Sequence, residues 1–149
     1  MELRFTLNDE ARSVQIAPDA MLLDVVRSLG LTGAKEGCGV GICGLCTLVV
    51  DDLPVSSCIY LAALAEGRSV WTVEGLVARD PSLLVAFVEQ EGLQCGICTP
   101  GQVVAAYTLK REFPNASENE VREYMAGNLC RCTGYASITS SVLVYLENR

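Results

Sequence analysis

An α+β fold in two parts, a strand-rich half followed by a helical half, is predicted by three features of the sequence. Apolar residues alternate around acidic and amide turns before residue 76, and helix caps with apolar residues three and four apart dominate from residue 80 onward. Eight cysteines divide four to each half.

The alternation of Leu3 to Leu7 and of Ser13 to Ile16 about Asn8-Asp9-Glu10 predicts a first hairpin. A helix is expected next, with Pro18 near its first turn, Leu22, Val25, Val26 and Leu29 along one face, and Gly30 placed to end it in a left-handed conformation. Thr47 to Val50 and Leu53 to Val55 predict a second hairpin about Asp51-Asp52, and Ser69 to Val73 a further strand.

Four short helices are predicted in the second half. The first has Asp80 as cap, Pro81 at its first position and Leu83, Leu84, Phe87 and Val88 inward. Thr99-Pro100 repeats the same signal for the second helix, which ends in a turn at Phe113-Pro114-Asn115. A capping box at Ser117-Glu118-Asn119-Glu120 opens the third, with Val121, Tyr124 and Met125 behind it, and Ile138, Val142, Tyr145 and Leu146 mark the fourth.

Composition narrows the chemistry. The chain has no histidine, so the commonest acid–base catalyst and His-ligated metal sites are excluded, and chemistry must come from the cysteines or from another chain. Its net charge is −7, and no lysine or arginine cluster is available to neutralise a run of phosphates, so no nucleic-acid partner is expected. Half of the residues are hydrophobic and the mean hydropathy is +0.32, oily for so small a body; part of that surface is expected to meet a partner. The longest apolar stretches fall far short of the roughly 20 residues of a membrane helix, so no span is expected. The N-terminus shows no signal core or twin arginine, which predicts a cytoplasmic chain.

Eight thiols can form disulfides, zinc sites or iron–sulfur clusters. Disulfides suit exported chains, and a zinc ribbon pairs two C-x2-C knuckles, whereas Cys38, Cys43 and Cys46 crowd into one loop. That C-x4-C-x2-C spacing, followed by Cys58, is associated with plant-type [2Fe–2S] ferredoxins. The four glycines of Gly37 to Gly44 let backbone amides turn toward sulfur. The second set, Cys95-x2-Cys98 with Cys130-x-Cys132, is ambiguous alone: zinc, a redox pair or a second cluster would all accept it. Each of its two segments precedes a predicted helix N-terminus, where the dipole favours negative charge, as on a four-thiolate cluster.

Three segments taken together resemble the iron–sulfur subunit of the xanthine oxidase family. They are Glu36-Gly37-Cys38-Gly39 with Cys43-Gly44-Leu45-Cys46-Thr47; Gln94-Cys95-Gly96-Ile97-Cys98-Thr99-Pro100-Gly101; and Gly127-Asn128-Leu129-Cys130-Arg131-Cys132-Thr133-Gly134-Tyr135. The resemblance spans essentially the whole chain. It implies a β-grasp, plant-type ferredoxin domain over residues 1–75 and an all-α four-helix-bundle [2Fe–2S] domain over residues 76–149. Cys38, Cys43, Cys46 and Cys58 would then bind the distal cluster, and Cys95, Cys98, Cys130 and Cys132 the one proximal to molybdenum. Gln94 and Cys132 would approach the molybdopterin of a large partner subunit. Further implications are FAD on a medium subunit and a dimer of heterotrimers. The chain would relay electrons one at a time from molybdopterin toward flavin, as the electron-transfer subunit of an oxidoreductase without a substrate-converting site of its own. A freestanding two-cluster ferredoxin, acting as a diffusible carrier, is the alternative. Departures from the family pattern are Leu45, Ile97 and Gln102, where alanine, an aromatic and methionine are common; none removes a ligand.

Overall fold

The structure, a computed structural model, describes residues 1–148. Strands β1 (Glu2–Leu7) and β2 (Glu10–Gln15) form the first hairpin, and β3 (Thr47–Val50) and β4 (Leu53–Ser56) the second. Both turns have two residues with positive φ, 51° and 65° at Asn8-Asp9 and 47° and 70° at Asp51-Asp52. Such turns match the right-handed twist of the strands, and Asn and Asp enter this region more easily than other side chains. Strand β5 (Ser69–Trp71) runs parallel to β1 and antiparallel to β3, closing a five-stranded sheet in the order β2-β1-β5-β3-β4. Helix α1 (Leu22–Ser28) buries Leu22, Leu23, Val25 and Val26 against it and is followed by Gly30 at φ 90°. Pro18 lies ahead of this helix instead of in its first turn, and Leu29 falls at the cap, partly exposed.

The helical half contains the four expected helices and one more. They are α3 (Ser82–Glu89), α4 (Thr99–Glu112), α5 (Glu118–Met125) and α6 (Ala136–Glu147), preceded by α2 (Val73–Arg79). Val73, expected to end a strand, instead opens α2. That helix buries Leu76 fully and packs Val73 and Val77 partly against the helical core, a single turn of apolar spacing interrupted by Gly75 and too short to mark a helix in the sequence. Asp80 accepts hydrogen bonds from the Ser82 N–H at 3.2 Å and the Ser82 hydroxyl at 2.6 Å, doing the capping work expected of it. The Ser117–Glu120 capping box is formed as expected. In α3 the inward residues are Leu83, Ala86 and Phe87; Leu84 and Val88, expected inward, are 37% and 60% exposed. A helix this short has one face against α6 and α4, and its second apolar stripe is left outside.

Two hydrophobic cores result, and β3 separates them. Leu48 and Val50 point into the core of the sheet and α1; Val49, on the opposite face by strand alternation, packs into the helical core with Leu76, Phe87, Val104 and Leu109. All four β3 residues are therefore buried. The strand that follows the first cysteine loop is thus held by both halves.

Tyr145, 1% exposed, ties α6 to the start of α3 by donating to Asp80 Oδ2 at 2.8 Å. Lys110 lies 4.1 Å over the Tyr145 ring and donates to the Tyr145 carbonyl at 2.8 Å. Burial works to raise the Asp80 pKa, but hydrogen bonds from Ser82 and Tyr145 and the Lys110 charge outweigh it, so the carboxyl sits below its ordinary range. A depressed folded-state pKa contributes stability that is present above the unfolded value, near ~4, and lost as pH falls through the folded value. Tyr145→Phe is therefore expected to cost about 1 kcal/mol at neutral pH, with the difference from the native protein narrowing below about pH 4. Urea unfolding of both proteins across pH 3 to 7 checks this; a pH-independent difference would remove Asp80 from the account.

Candidate metal centres

The first cysteine set is built by the loop between α1 and β3, together with Cys58 just after β4. Cys38 is exposed, Cys43 and Cys46 are buried and Cys58 lies between these extremes. The loop curls so that the N–H groups of Val40, Ile42 and Cys43 point at Cys38 Sγ, at 3.5, 3.4 and 3.4 Å. Gly39 and Gly41 make this curl possible, with φ of 67° and 77°, where a side chain would strain the backbone. The Val40 amide, then those of Cys43 and Ile42, draw the Cys38 thiol down to about 6, so it is largely thiolate at neutral pH. Cys58 is the opposite case: burial, then the neighbouring Cys46 thiol, push it up to about 11.

The second set comes from two loops. Cys95 and Cys98 precede α4, where Cys98 occupies the cap position instead of Thr99, and Cys130 and Cys132 precede α6. Cys132 Sγ lies 3.4 Å from Cys95 Sγ at the surface. Cys98 and Cys130, less exposed, line the same cavity as these two. Burial, then Cys130, push the Cys98 thiol up to about 12. Burial also works to raise Cys130, but the Thr133 hydroxyl and the Thr133 and Cys132 amides outweigh it, and the net shift is downward.

All eight cysteines are free: Cys95 and Cys132 stand sulfur to sulfur, Cys38 and Cys43 share the lining of one cavity with Cys98 and Cys130, and Cys46 and Cys58 pack together at the core of the sheet. Among the described residues no three Cys, Asp or Glu side chains converge on one ion position. Pairs of thiols suit a two-iron cluster, in which four cysteines serve two irons. The donor set, soft thiols with amide N–H groups aimed at sulfur, fits such a group at both places.

The two sets face each other. Cys38 and Cys43 line one cavity of about 320 Å³ with Cys95, Cys98, Cys130 and Cys132. Beside it, the Leu129 N–H donates to the Cys43 carbonyl at 2.9 Å, joining the backbone of one set to the residue before Cys130 in the other. Asn128 secures this contact: its Nδ2 donates to the Gly44 carbonyl at 2.8 Å and to Thr47 Oγ1 at 3.0 Å, and its own carbonyl accepts from the Gln102 amide. The backbones meet so closely that a Cβ on Gly101 would stand 2.2 Å from the Gly44 carbonyl oxygen. Asn128 was not expected to join the halves, nor Gln102 to hold it from within the helical half; the only sequence sign was glycine at 44, 101 and 127. Gln94 is exposed next to Cys95.

Two family models match: a 2Fe-2S iron-sulfur cluster binding domain over residues 5–69 and a [2Fe-2S] binding domain over residues 72–143. The iron-sulfur-binding subunit of xanthine dehydrogenase from Escherichia coli O157:H7 is 40% identical over 143 residues, covering 93% of this chain and 89% of that one. The nicotinate dehydrogenase small FeS subunit of Eubacterium barkeri is 44% identical over 149 residues, covering 97% and 94%. The crystal structure of quinoline 2-oxidoreductase from Pseudomonas putida 86 superimposes with a TM-score of 0.93 at 42% identity, over 99% of this chain and 94% of that one. Paired thiols in two linked domains, matched along nearly their whole length by such relatives, identify the chain: it belongs to the small iron–sulfur subunits of the xanthine oxidase family, the electron-transfer subunits of oxidoreductase complexes.

Proposed function

We propose that this chain is the electron relay between a molybdopterin-bearing large subunit and a flavin-bearing subunit of a molybdenum hydroxylase. Residues 1–75 and 76–149 would serve as its two cluster-holding domains, within a cytoplasmic dimer of heterotrimers. Cys38, Cys43, Cys46 and Cys58 hold one [2Fe–2S] cluster, and Cys95, Cys98, Cys130 and Cys132 hold the other. Each cluster, when bound, supplies reversible one-electron chemistry. The observation that carries this reading is the shared cavity, where ligands of both sets stand across a single Cys43–Leu129 hydrogen bond.

The chain's own residues supply the conditions for relay. Amides of Val40, Ile42 and Cys43 favour negative charge at the first set, and the cap position of Cys98 brings the positive end of α4 to the second. Cys95 and Cys132 are exposed, with exposed Gln94 next to them, and this outward face is the one assigned to the pterin. Gln94 offers it both a donor and an acceptor, and Cys132 a sulfur. Ile97 and Leu129, 51% and 50% exposed, are bare apolar side chains on the same segments, as a docking face requires.

Native purification with metal analysis tests the reading. Expected are copurification of a larger chain containing molybdenum, about four irons and four sulfides per copy of this chain, and two distinct S = 1/2 signals after dithionite reduction. Zinc in place of iron would overturn the assignment. A chain that purifies alone with both clusters would be a diffusible ferredoxin instead.

A further inference from the structure

The loop Cys130–Tyr135 contains a hydrogen-bond chain that ends on a sulfur. The Tyr135 N–H donates to Thr133 Oγ1 at 3.1 Å, and Thr133 Oγ1 lies 3.2 Å from Cys130 Sγ. With its oxygen already accepting from Tyr135, the Thr133 hydroxyl has its proton free for the sulfur. A cysteine bound to iron is a thiolate with no proton to give, so in the loaded protein the hydroxyl must be the donor.

Tyr135 is held so as to orient this donor. Its backbone is left-handed, φ 69°, immediately after Gly134 at φ 63°, a conformation that costs a tyrosine about 1–2 kcal/mol. It persists because Tyr135 is tied at both ends: its N–H to Thr133, and its hydroxyl oxygen to the Cys130 N–H at 2.8 Å. That second bond also engages the Cys130 amide within the protein, leaving the hydroxyl as the loop's side-chain donor to this thiolate.

We propose that Thr133 is a positioning residue for electron transfer: its hydroxyl, oriented by Tyr135, donates to the Cys130 thiolate and raises the reduction potential of the second cluster. Reduction adds one electron to a group already negative, and a donor at the sulfur stabilises the reduced form more than the oxidised one. The inference rests on the reading of Cys130 as a cluster ligand.

The test is a redox titration of the purified complex, following the two reduced-cluster EPR signals separately in native protein, Thr133→Val and Thr133→Ser. The second cluster's signal is the one that a Cys98→Ser variant loses. In Thr133→Val, the ratio of reduced to oxidised second cluster at a fixed potential is expected to fall by about tenfold, a downward shift of about 59 mV for a one-electron couple. Thr133→Ser should keep the native value, and the first cluster should not move in either variant. Coincident titrations of native protein and Thr133→Val, or equal shifts of both clusters, would overturn the proposal while leaving the two-cluster reading intact. Absence of a second signal in the native protein would instead sink that reading. If Thr133→Val does not assemble, pulsed EPR of the native protein after brief transfer to deuterium oxide decides the matter. A rapidly exchanging proton coupled to the second cluster is expected, and its absence refutes the donor.

Discussion

Replacing Gly101 by alanine is expected to lower stability by about 3 kcal/mol, a melting midpoint lower by about 10 °C, and to weaken electron passage between the two halves. The added Cβ would stand 2.2 Å from the Gly44 carbonyl oxygen, inside any real contact distance, and the obstruction is backbone on both sides. Gly44 has little room to yield. Its φ is 72°, and its carbonyl accepts from Asn128 Nδ2 at 2.8 Å and from the Thr47 hydroxyl at 2.7 Å. Relief must therefore come from separating α4 from the first cysteine loop, which stretches the Leu129–Cys43 bond as well. Magnetic coupling between the two reduced clusters reads that separation, and it should diminish in the variant. Gly67→Ala is the contrast, because Gly67, at φ 70°, carries a backbone cost for the added Cβ but has nothing within 4 Å of it. Only the backbone cost of about 1–2 kcal/mol is expected there, with coupling unchanged. Equal effects of the two variants would mean that the close approach at Gly44 does not set the spacing.

The same contact fixes the two halves to each other. Val49 packs into the helical core while Leu48 and Val50, its neighbours in β3, pack into the other. Thr47, at the start of that strand, bonds to Asn128, and Asn128 is two residues from Cys130. Strand, loop and cysteine pairs are thus fixed by one continuous set of buried contacts.

Most of the sheet was legible because its signals are local. Alternation sets which face of β1 is buried, and Asn8-Asp9 and Asp51-Asp52 can take the positive φ that a two-residue hairpin needs. The grouping of Cys38, Cys43 and Cys46 was legible from spacing, since they lie in one loop, whereas Cys95-x2-Cys98 and Cys130-x-Cys132 lie on separate loops that only the fold brings together. What escaped the sequence depended on distant partners. Helix α2 shows only one turn of apolar spacing, Val73, Leu76 and Val77, and its place is settled by those side chains at the helical core and by Glu74 accepting from the Gly33 N–H at 2.8 Å. Leu84 and Val88 read as inward because apolar residues in a short helix look alike whether they meet a core or the outside. Gln102 stands out in the sequence as a departure from methionine, but its bond to the Asn128 carbonyl lies across 26 positions and has no local signature.

Cys98→Ser is expected to remove the second cluster alone, with iron falling from about four to about two per chain and one of the two EPR signals lost. Cys98 is at the α4 cap, half-buried, and paired with Cys130. Burial, then Cys130, push its thiol up to about 12, so in the metal-free chain it stays protonated; iron overcomes this by binding the sulfur as thiolate. Serine has a far less acidic hydroxyl and a harder donor atom, so it meets the same burial without an equivalent bond to iron. The first set should be untouched, because its cysteines come from the loop before β3 and from Cys58 after β4, and the amides of Val40, Ile42 and Cys43 that donate to Cys38 do not involve α4. Cys46→Ser should give the mirror image, losing the other signal and keeping the one that Cys98→Ser removes. The complex should lose turnover in both cases, since a relay with either station missing carries no current, but the surviving spectra must differ. A Cys98→Ser protein that keeps about four irons and both signals would take Cys98 out of the ligand set and leave the pairing of Cys98 with Cys130 a packing contact.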